Sequence, residues 1–244
     1  MHHQFIDQHS GLDSFLHKMD PRIKIIMFAG IIFFVLLTSS RQPIPLFFYS
    51  LIILILIRLS CVPVRFIFLR SLAILPFVIL VAFSLLLSAT HERLTFFGSL
   101  LTKAYLSILS MILLISTTKF VDLLKALEKM HCPVLFVMML SFMYRYLYLF
   151  IDEFMRLNQA QESRTVRKTL NPGLKVKILS NMIGTLLIRS YERGESVYLA
   201  MCSRGYRGEI RTLHPLILRK SDCVFLAVVF ITLMGILLLF IDHV

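Results

Sequence analysis

An all-α integral membrane protein, with about five transmembrane helices and long cytoplasmic helices, is the fold class this chain predicts, on three observations. Hydrophobic residues fill 57% of its 244 positions and charged residues only 16%, a balance unsuited to a soluble domain. Long uncharged apolar runs recur along it, with the basic residues gathered between them. Half of the 26 Lys and Arg lie between Ile151 and Asp222, so the net charge of +12 suits anionic lipid headgroups and the cytoplasm rather than nucleic acid.

The amino end is polar and lacks the charged, apolar and small-residue order of a signal peptide, so the first apolar run is expected to stay in the mature protein. Asp20-Pro21 reads as a helix start, Asp20 as N-cap and Pro21 at the first position. Apolar runs follow at about Ile25 to Ser40, Ile44 to Ile57, Ser71 to Thr90, Ala104 to Thr118, Cys132 to Tyr144 and Cys223 to Ile241. A crossing needs roughly 20 helical residues, which makes the third and last runs the clearest spans. Pro76 and Gly235 are tolerable inside membrane helices, where neighbours re-satisfy the backbone.

Loop charges set the orientation. Lys18, Arg22 and Lys24 precede the first span, Arg58, Arg65 and Arg70 follow the second, and Lys119, Lys125 and Lys129 follow the fourth; the alternate loops carry only Arg41 and Arg93. The positive-inside rule therefore puts the N-terminus in the cytoplasm. The basic stretch from Ile151 to Asp222 belongs there too, so Cys132 to Phe150 cannot make a simple single crossing. Its Met, Phe and Tyr content, with Arg145 among them, suits an interfacial or partner-binding helix. Arg145, within an apolar helix, calls for a partner, for which Asp152, Glu153 and backbone carbonyls are the candidates. The count is then five spans, with six as the competing count. The domains that follow are a four-span bundle over residues 1–131, a cytoplasmic or interfacial region over 132–221, and a last transmembrane helix over 222–244.

Two helical units fill the basic region. The first continues from the Met-rich helix through DEFMRLNQAQESRTVRK and is stopped by Asn171-Pro172-Gly173. The second restarts at about Leu174 and runs on, or turns, into YERGESVYLAMCSR. Gly205 is placed to end it in a left-handed conformation, with Arg204 in the last turn, where the helix dipole favours a cation. Arg193, Val197, Ala200, Met201 and Arg204 share one face at helical spacing. Arg164 repeats the arrangement on the first unit, behind Ala160 and Ser163. A guanidinium at a helix tip can form bidentate bonds to a carboxylate or to carbonyls, although a run of arginines on a cytoplasmic helix also suits a solvated or headgroup-facing side.

Several chemistries lack their residues. No GxxxxGK[ST] phosphate loop occurs, so energy must come from a partner. There is no HExxH, no GxSxG elbow, and no acidic DxxxD or DDxxD cluster of a lipid-processing enzyme. Asp7, His2, His3 and His9 read as a solvated terminus, and His91, His131, His214 and His243 are isolated, so neither a metal site nor any cofactor is expected. A self-sufficient secondary carrier would need intramembrane acids, which the confident spans almost lack. Cys61, Cys132, Cys202 and Cys223 are scattered and read as free thiols.

Four segments, DSFLHKMDPRIKI (Asp13 to Ile25), TTKFVDLLKALEKMHCP (Thr117 to Pro133), FMYRYLYLF (Phe142 to Phe150) and SYERGESVYLAMCSRGY (Ser190 to Tyr206), resemble in order the transmembrane T component of energy-coupling factor transporters, and among these the CbiQ-like components of cobalt and nickel uptake systems. The family's two short Ala-Arg-Gly-like coupling signatures match Ser163-Arg164-Thr165 and Ser203-Arg204-Gly205, with Ser in the Ala place in both and no Gly in the first. The resemblance implies a non-enzymatic, multi-pass subunit of the prokaryotic plasma (inner) membrane. It also implies partners: two CbiO-like ATP-binding-cassette ATPase subunits docked on the arginine tips, and a CbiM-like substrate-binding membrane subunit, with or without a small CbiN-like one. A T component shared among vitamin-specific subunits is the alternative.

Overall fold

The computed structural model describes residues 14–39, 44–86, 93–164, 171–206, 208 and 218–241. Among the described residues every regular element is a helix: α1 (Phe15–Lys18), α2 (Pro21–Leu37), α3 (Ile44–Ser60), α4 (Val64–Leu86), α5 (Arg93–Thr117), α6 (Phe120–Lys129), α7 (Val134–Arg164), α8 (Pro172–Ser203) and α9 (Lys220–Ile241). The chain divides into two compact units, one of Met1–Met130 with His214–Val244, the other of His131–Leu213.

The first unit is a bundle whose ends are written into the sequence. Asp20 caps α2 by accepting from the Arg22 amide at 2.9 Å, and Pro21 occupies the first turn, where its missing N–H costs nothing. Pro76 sits inside α4, as its apolar surroundings predict. Helix α2 runs antiparallel to α5, since its start meets Thr117 and its end meets Lys103. It runs parallel to α9: Asp20 lies beside Asp222, and Phe34 meets Phe230 edge-on at 6.0 Å. Gly30 lets that ring approach, for a Cβ there would lie 2.6 Å from Phe230 Cζ.

The bundle core comprises Met27, Phe28, Ile31 and Val35 of α2, Tyr49, Ile53 and Leu56 of α3, Leu106 and Leu113 of α5, and Val229 and Leu233 of α9. Its outside is equally apolar, with Phe33, Leu36, Phe47, Leu54, Phe77, Leu80, Ile231 and Leu239 all exposed. An apolar inside and outside is what a bundle surrounded by hydrocarbon requires. Phe96–Thr117, Val134–Arg164 and Lys220–Leu239 are long and apolar enough to cross a membrane, and Ile44–Ser60 is a shorter apolar helix.

The second unit is an antiparallel pair, α7 and α8. Tyr206, just past α8, donates its hydroxyl hydrogen bond to Met138 Sδ near the start of α7, and Arg189 of α8 pairs with Glu153 midway along α7. Helix α8 is one unbroken run of 32 residues, so the two stretches read from the sequence join. Its start is Asn171 at the N-cap and Pro172 in the first turn, two residues earlier than expected, because Pro at that position opens a helix as readily as it stops the one before. Residues 165–170, which carry the end of the first polar stretch, lie outside the described residues.

Candidate functional site

Helix α8 ends in a complete Schellman motif. Arg204 is the C-cap, Gly205 takes φ +80°, the Gly205 amide donates to Cys202 O at 3.0 Å, and the Tyr206 amide donates to Met201 O at 3.1 Å. The left-handed residue is free of cost only as glycine, so Gly205 fixes where the helix stops. Tyr206 then anchors the end on Met138. Of the face read from the sequence, Val197 and Met201 are half-buried, while Arg193, Ala200 and Arg204 are exposed. The Tyr198 hydroxyl is pushed above the ordinary tyrosine range, first by its hydrogen bond with Cys202, so it stays a neutral phenol on this last turn.

Arg164 is the last described residue of α7 and is also exposed. Neither Arg164 nor Arg204 has a hydrogen bond or ion pair among the described residues. Because the hairpin is antiparallel, the two tips lie at opposite ends of it. Arg164 is 26 residues beyond Met138, the neighbour of Tyr206, which is roughly 39 Å of helix at about 1.5 Å per residue.

Both serines fold back on their own helices. Ser163 Oγ donates to Gln159 O at 2.9 Å and to Ala160 O at 3.1 Å, and Ser203 Oγ donates to Ala200 O at 2.9 Å. A hydroxyl spent this way presents little more than a Cβ outward, so each serine is close to an alanine in shape and hydrogen-bonding demand.

Arg145 departs from the sequence expectation. It is exposed, with no ion pair among the described residues, and Glu153, one of its candidate partners, pairs with Arg189 instead. An exposed guanidinium needs no protein partner, and Glu153 is drawn to the cation that the hairpin places across from it. Of the histidines, His2, His3, His9, His91, His214 and His243, and with them Asp7, lie outside the described residues. No group of three or more His, Cys, Asp or Glu able to hold a metal occurs among the described residues.

Sequence reasoning missed the buried charges of the bundle. Lys24, 1% exposed, donates to Thr117 O at 3.0 Å and His17 O at 3.2 Å. Lys103, 8% exposed, donates to Thr38 O. Each lysine caps the C-terminal end of the helix antiparallel to its own, where the dipole is negative. Asp222, 3% exposed, accepts from the Asp20 amide at 3.1 Å. The signal was available: Lys103 is a lone cation in an apolar stretch and so requires a partner.

Comparisons with known proteins place the whole chain. The family model of CbiQ, described as cobalt transport protein, matches residues 13–215. An uncharacterized protein of Methanocaldococcus jannaschii is 27% identical over 241 residues, covering 91% of this chain and 82% of that one. The energy-coupling factor transporter transmembrane protein EcfT of Listeria innocua is 29% identical over 220 residues, covering 80% and 82%. The nickel permease LarQ of Lactiplantibacillus plantarum is 35% identical over 92 residues, 38% of this chain and 33% of that one. This chain belongs to the CbiQ family, the transmembrane T components of energy-coupling factor transporters, and is a membrane-embedded transport component rather than an enzyme.

Proposed function

We propose that this chain couples ATP hydrolysis in two ATP-binding-cassette ATPase subunits to a substrate-binding membrane subunit. The observation that carries the reading is the hairpin. It offers two exposed arginines, unpaired among the described residues, at opposite ends of one antiparallel pair, Arg204 on a glycine-terminated end and Arg164 at the far end of α7. Two separated docking points suit two ATPase subunits, and approach of the ATPases on binding ATP would load the hairpin from both ends. Charge-assisted bonds from guanidinium to carboxylate or carbonyl supply tight tips. Cobalt or nickel ions are the proposed substrate, supported by the family's description and by a relative named a nickel permease.

A second reading has its own support. It makes the chain a T component shared among several substrate-binding subunits, vitamin-specific ones among them; the match to the energy-coupling factor transporter transmembrane protein EcfT runs along 82% of that protein, against 33% of the nickel permease. Purification of the chain from its native membrane separates the two. One dedicated metal-binding partner means a metal system; several partners mean a shared module.

In the membrane, α2 to α5 and α9 are the five proposed spans, with the N-terminus cytoplasmic. The parallel course of α2 and α9 supports an odd count, since a first and a last span that point the same way require an odd number of crossings. A reporter fused at Val244 is expected to read outside the cytoplasm; a cytoplasmic signal overturns the five-span count. For coupling, Arg164→Glu with Arg204→Glu is expected to abolish co-purification of the ATPases or to lower uptake at least tenfold, with membrane insertion unchanged. Normal assembly and uptake in that double variant would refute the assignment of the tips.

A further inference from the structure

The hairpin unit is inserted between α6 and α9 of the bundle, and α5, α6 and α9 meet one buried cluster of charge at the start of α2. The chain leaves through α5 and α6, passing into the hairpin unit after Met130, and α9 belongs to the bundle again. Thr117 O, the last carbonyl of α5, is held by the Lys24 ammonium, and Asp222, in the first turn of α9, is held by the Asp20 amide. Lys24 also takes His17 O, so the short helix before α2 joins the same cluster. Asp122 in α6, Asp20 in α2 and Asp222 in α9 carry the opposite charge in the neighbourhood of the buried Lys24 ammonium. Helix α6 packs on α2 besides.

We infer that Lys24, Asp20 and Asp222 are positioning residues that form a fixed pivot, holding α5–α6 and α9 to the start of α2 so that movement of the hairpin reaches the bundle undiminished. The inference rests on the coupling role proposed above. Its physical basis is the directionality of buried hydrogen bonds. Lys24 and Asp222 are 1% and 3% exposed, so no water stands ready to replace a lost partner. Sliding α5 or α9 along α2 by an ångström or two, about the scale of helix shifts in switching proteins, would strip the ammonium of a carbonyl or the carboxylate of its amide. An apolar contact, by contrast, slides with little change in energy. The cluster therefore lets the three helix ends move together and resists their moving singly.

Lys103 supplies an internal control. It makes the same kind of bond, ammonium to C-terminal carbonyl, between the same two helices, but at the opposite end of the pair, beside Thr38 and away from that cluster. A lysine needed only to hold the bundle together should behave alike at either end.

The test uses the complete complex, with its ATPase and substrate-binding subunits, in lipid vesicles, with Co2+ and Ni2+ as transported probes and uptake per ATP hydrolysed as the readout. Lys24→Met and Asp222→Leu are expected to assemble with the ATPases and hydrolyse ATP while uptake per ATP falls at least fivefold. Lys103→Met is expected to lower the melting temperature and keep uptake per ATP within twofold of the parent. Amide exchange gives a readout independent of the ion: Lys24→Met should speed exchange at least tenfold in Thr117–Met130 and in the first turn of α9, leaving the mid-bundle segment Phe28–Val35 unchanged. Unchanged coupling in both pivot variants, an equal loss in Lys103→Met, or faster exchange throughout the bundle overturns the pivot. If Lys24→Met does not assemble, Asp222→Leu decides, because it is close to Asp in size, removes the acceptor for the Asp20 amide and leaves Lys24 its two carbonyls; failure of both to assemble makes the cluster a folding element and overturns the pivot. A parent chain that binds no ATPase overturns the coupling role instead. If the parent carries neither ion, the metal reading falls and the exchange pattern alone decides the pivot.

Discussion

The bundle and the hairpin use the same charge in opposite ways. In the bundle, Lys24 and Lys103 are buried and their ammonium groups are spent on carbonyls of neighbouring helices. In the hairpin, Arg164 and Arg204 are exposed at helix ends and make no ion pair among the described residues. Packing differs in the same sense: the bundle closes around a continuous buried cluster, whereas Val137 and Met182 are the only buried apolar side chains described in α7 and α8. A cation already satisfied internally acts within its own fold. One left exposed on a helix held by few buried contacts is available to complete a second protein.

This contrast can be pressed from both sides. The largest expected effect is the charge reversal of both arginine tips described above, which should cost assembly or coupling and leave bundle stability alone. Next is Gly30→Leu, which drives a side chain into Phe230 and should destabilise the bundle by about 1–3 kcal/mol, read as a lower denaturation midpoint in detergent. ATPase binding by the surviving folded protein should be normal; loss of binding at full stability would mean that the two regions are not separable in this way. Gly205→Ala places a Cβ at φ +80° and should cost roughly 1–2 kcal/mol locally, fraying the last turn of α8. Its signature is weaker ATPase affinity with an unchanged bundle midpoint. The smallest effect belongs to Ser163→Ala with Ser203→Ala: both hydroxyls are spent on their own helix, so stability should stay within about 0.5 kcal/mol and uptake should hold. A several-fold loss of uptake would show that a partner takes over those hydroxyls.

Much of this was legible in the order of residues. Asp20-Pro21 announced the start of α2, Gly205 announced the end of α8, and the apolar runs announced the helices, because caps and hydrophobic stretches act over a few neighbouring positions. Arg204 could be placed at a helix end for the same reason. Where the tips lie relative to each other was not legible, since that follows from the antiparallel pairing of α7 with α8 through Glu153 and Arg189, Met138 and Tyr206. Arg145 misled because its apolar neighbours suggested burial, whereas its side of α7 is open.

By itself, the sequence determined the all-helical membrane class, the glycine-ended helix terminus that carries Arg204, and the absence of a nucleotide-binding loop. All of these are local or compositional properties. Only the tertiary structure decided that α9 runs parallel to α2, that the arginine tips stand at opposite ends of one hairpin, and that Lys24, Asp20 and Asp222, up to 202 positions apart in the chain, share one buried cluster. Those facts depend on which helices pack together. In a hydrocarbon surrounding the apolar surface is nearly uniform, so specificity of packing falls to small residues and to a few buried hydrogen bonds whose partners are distant in sequence.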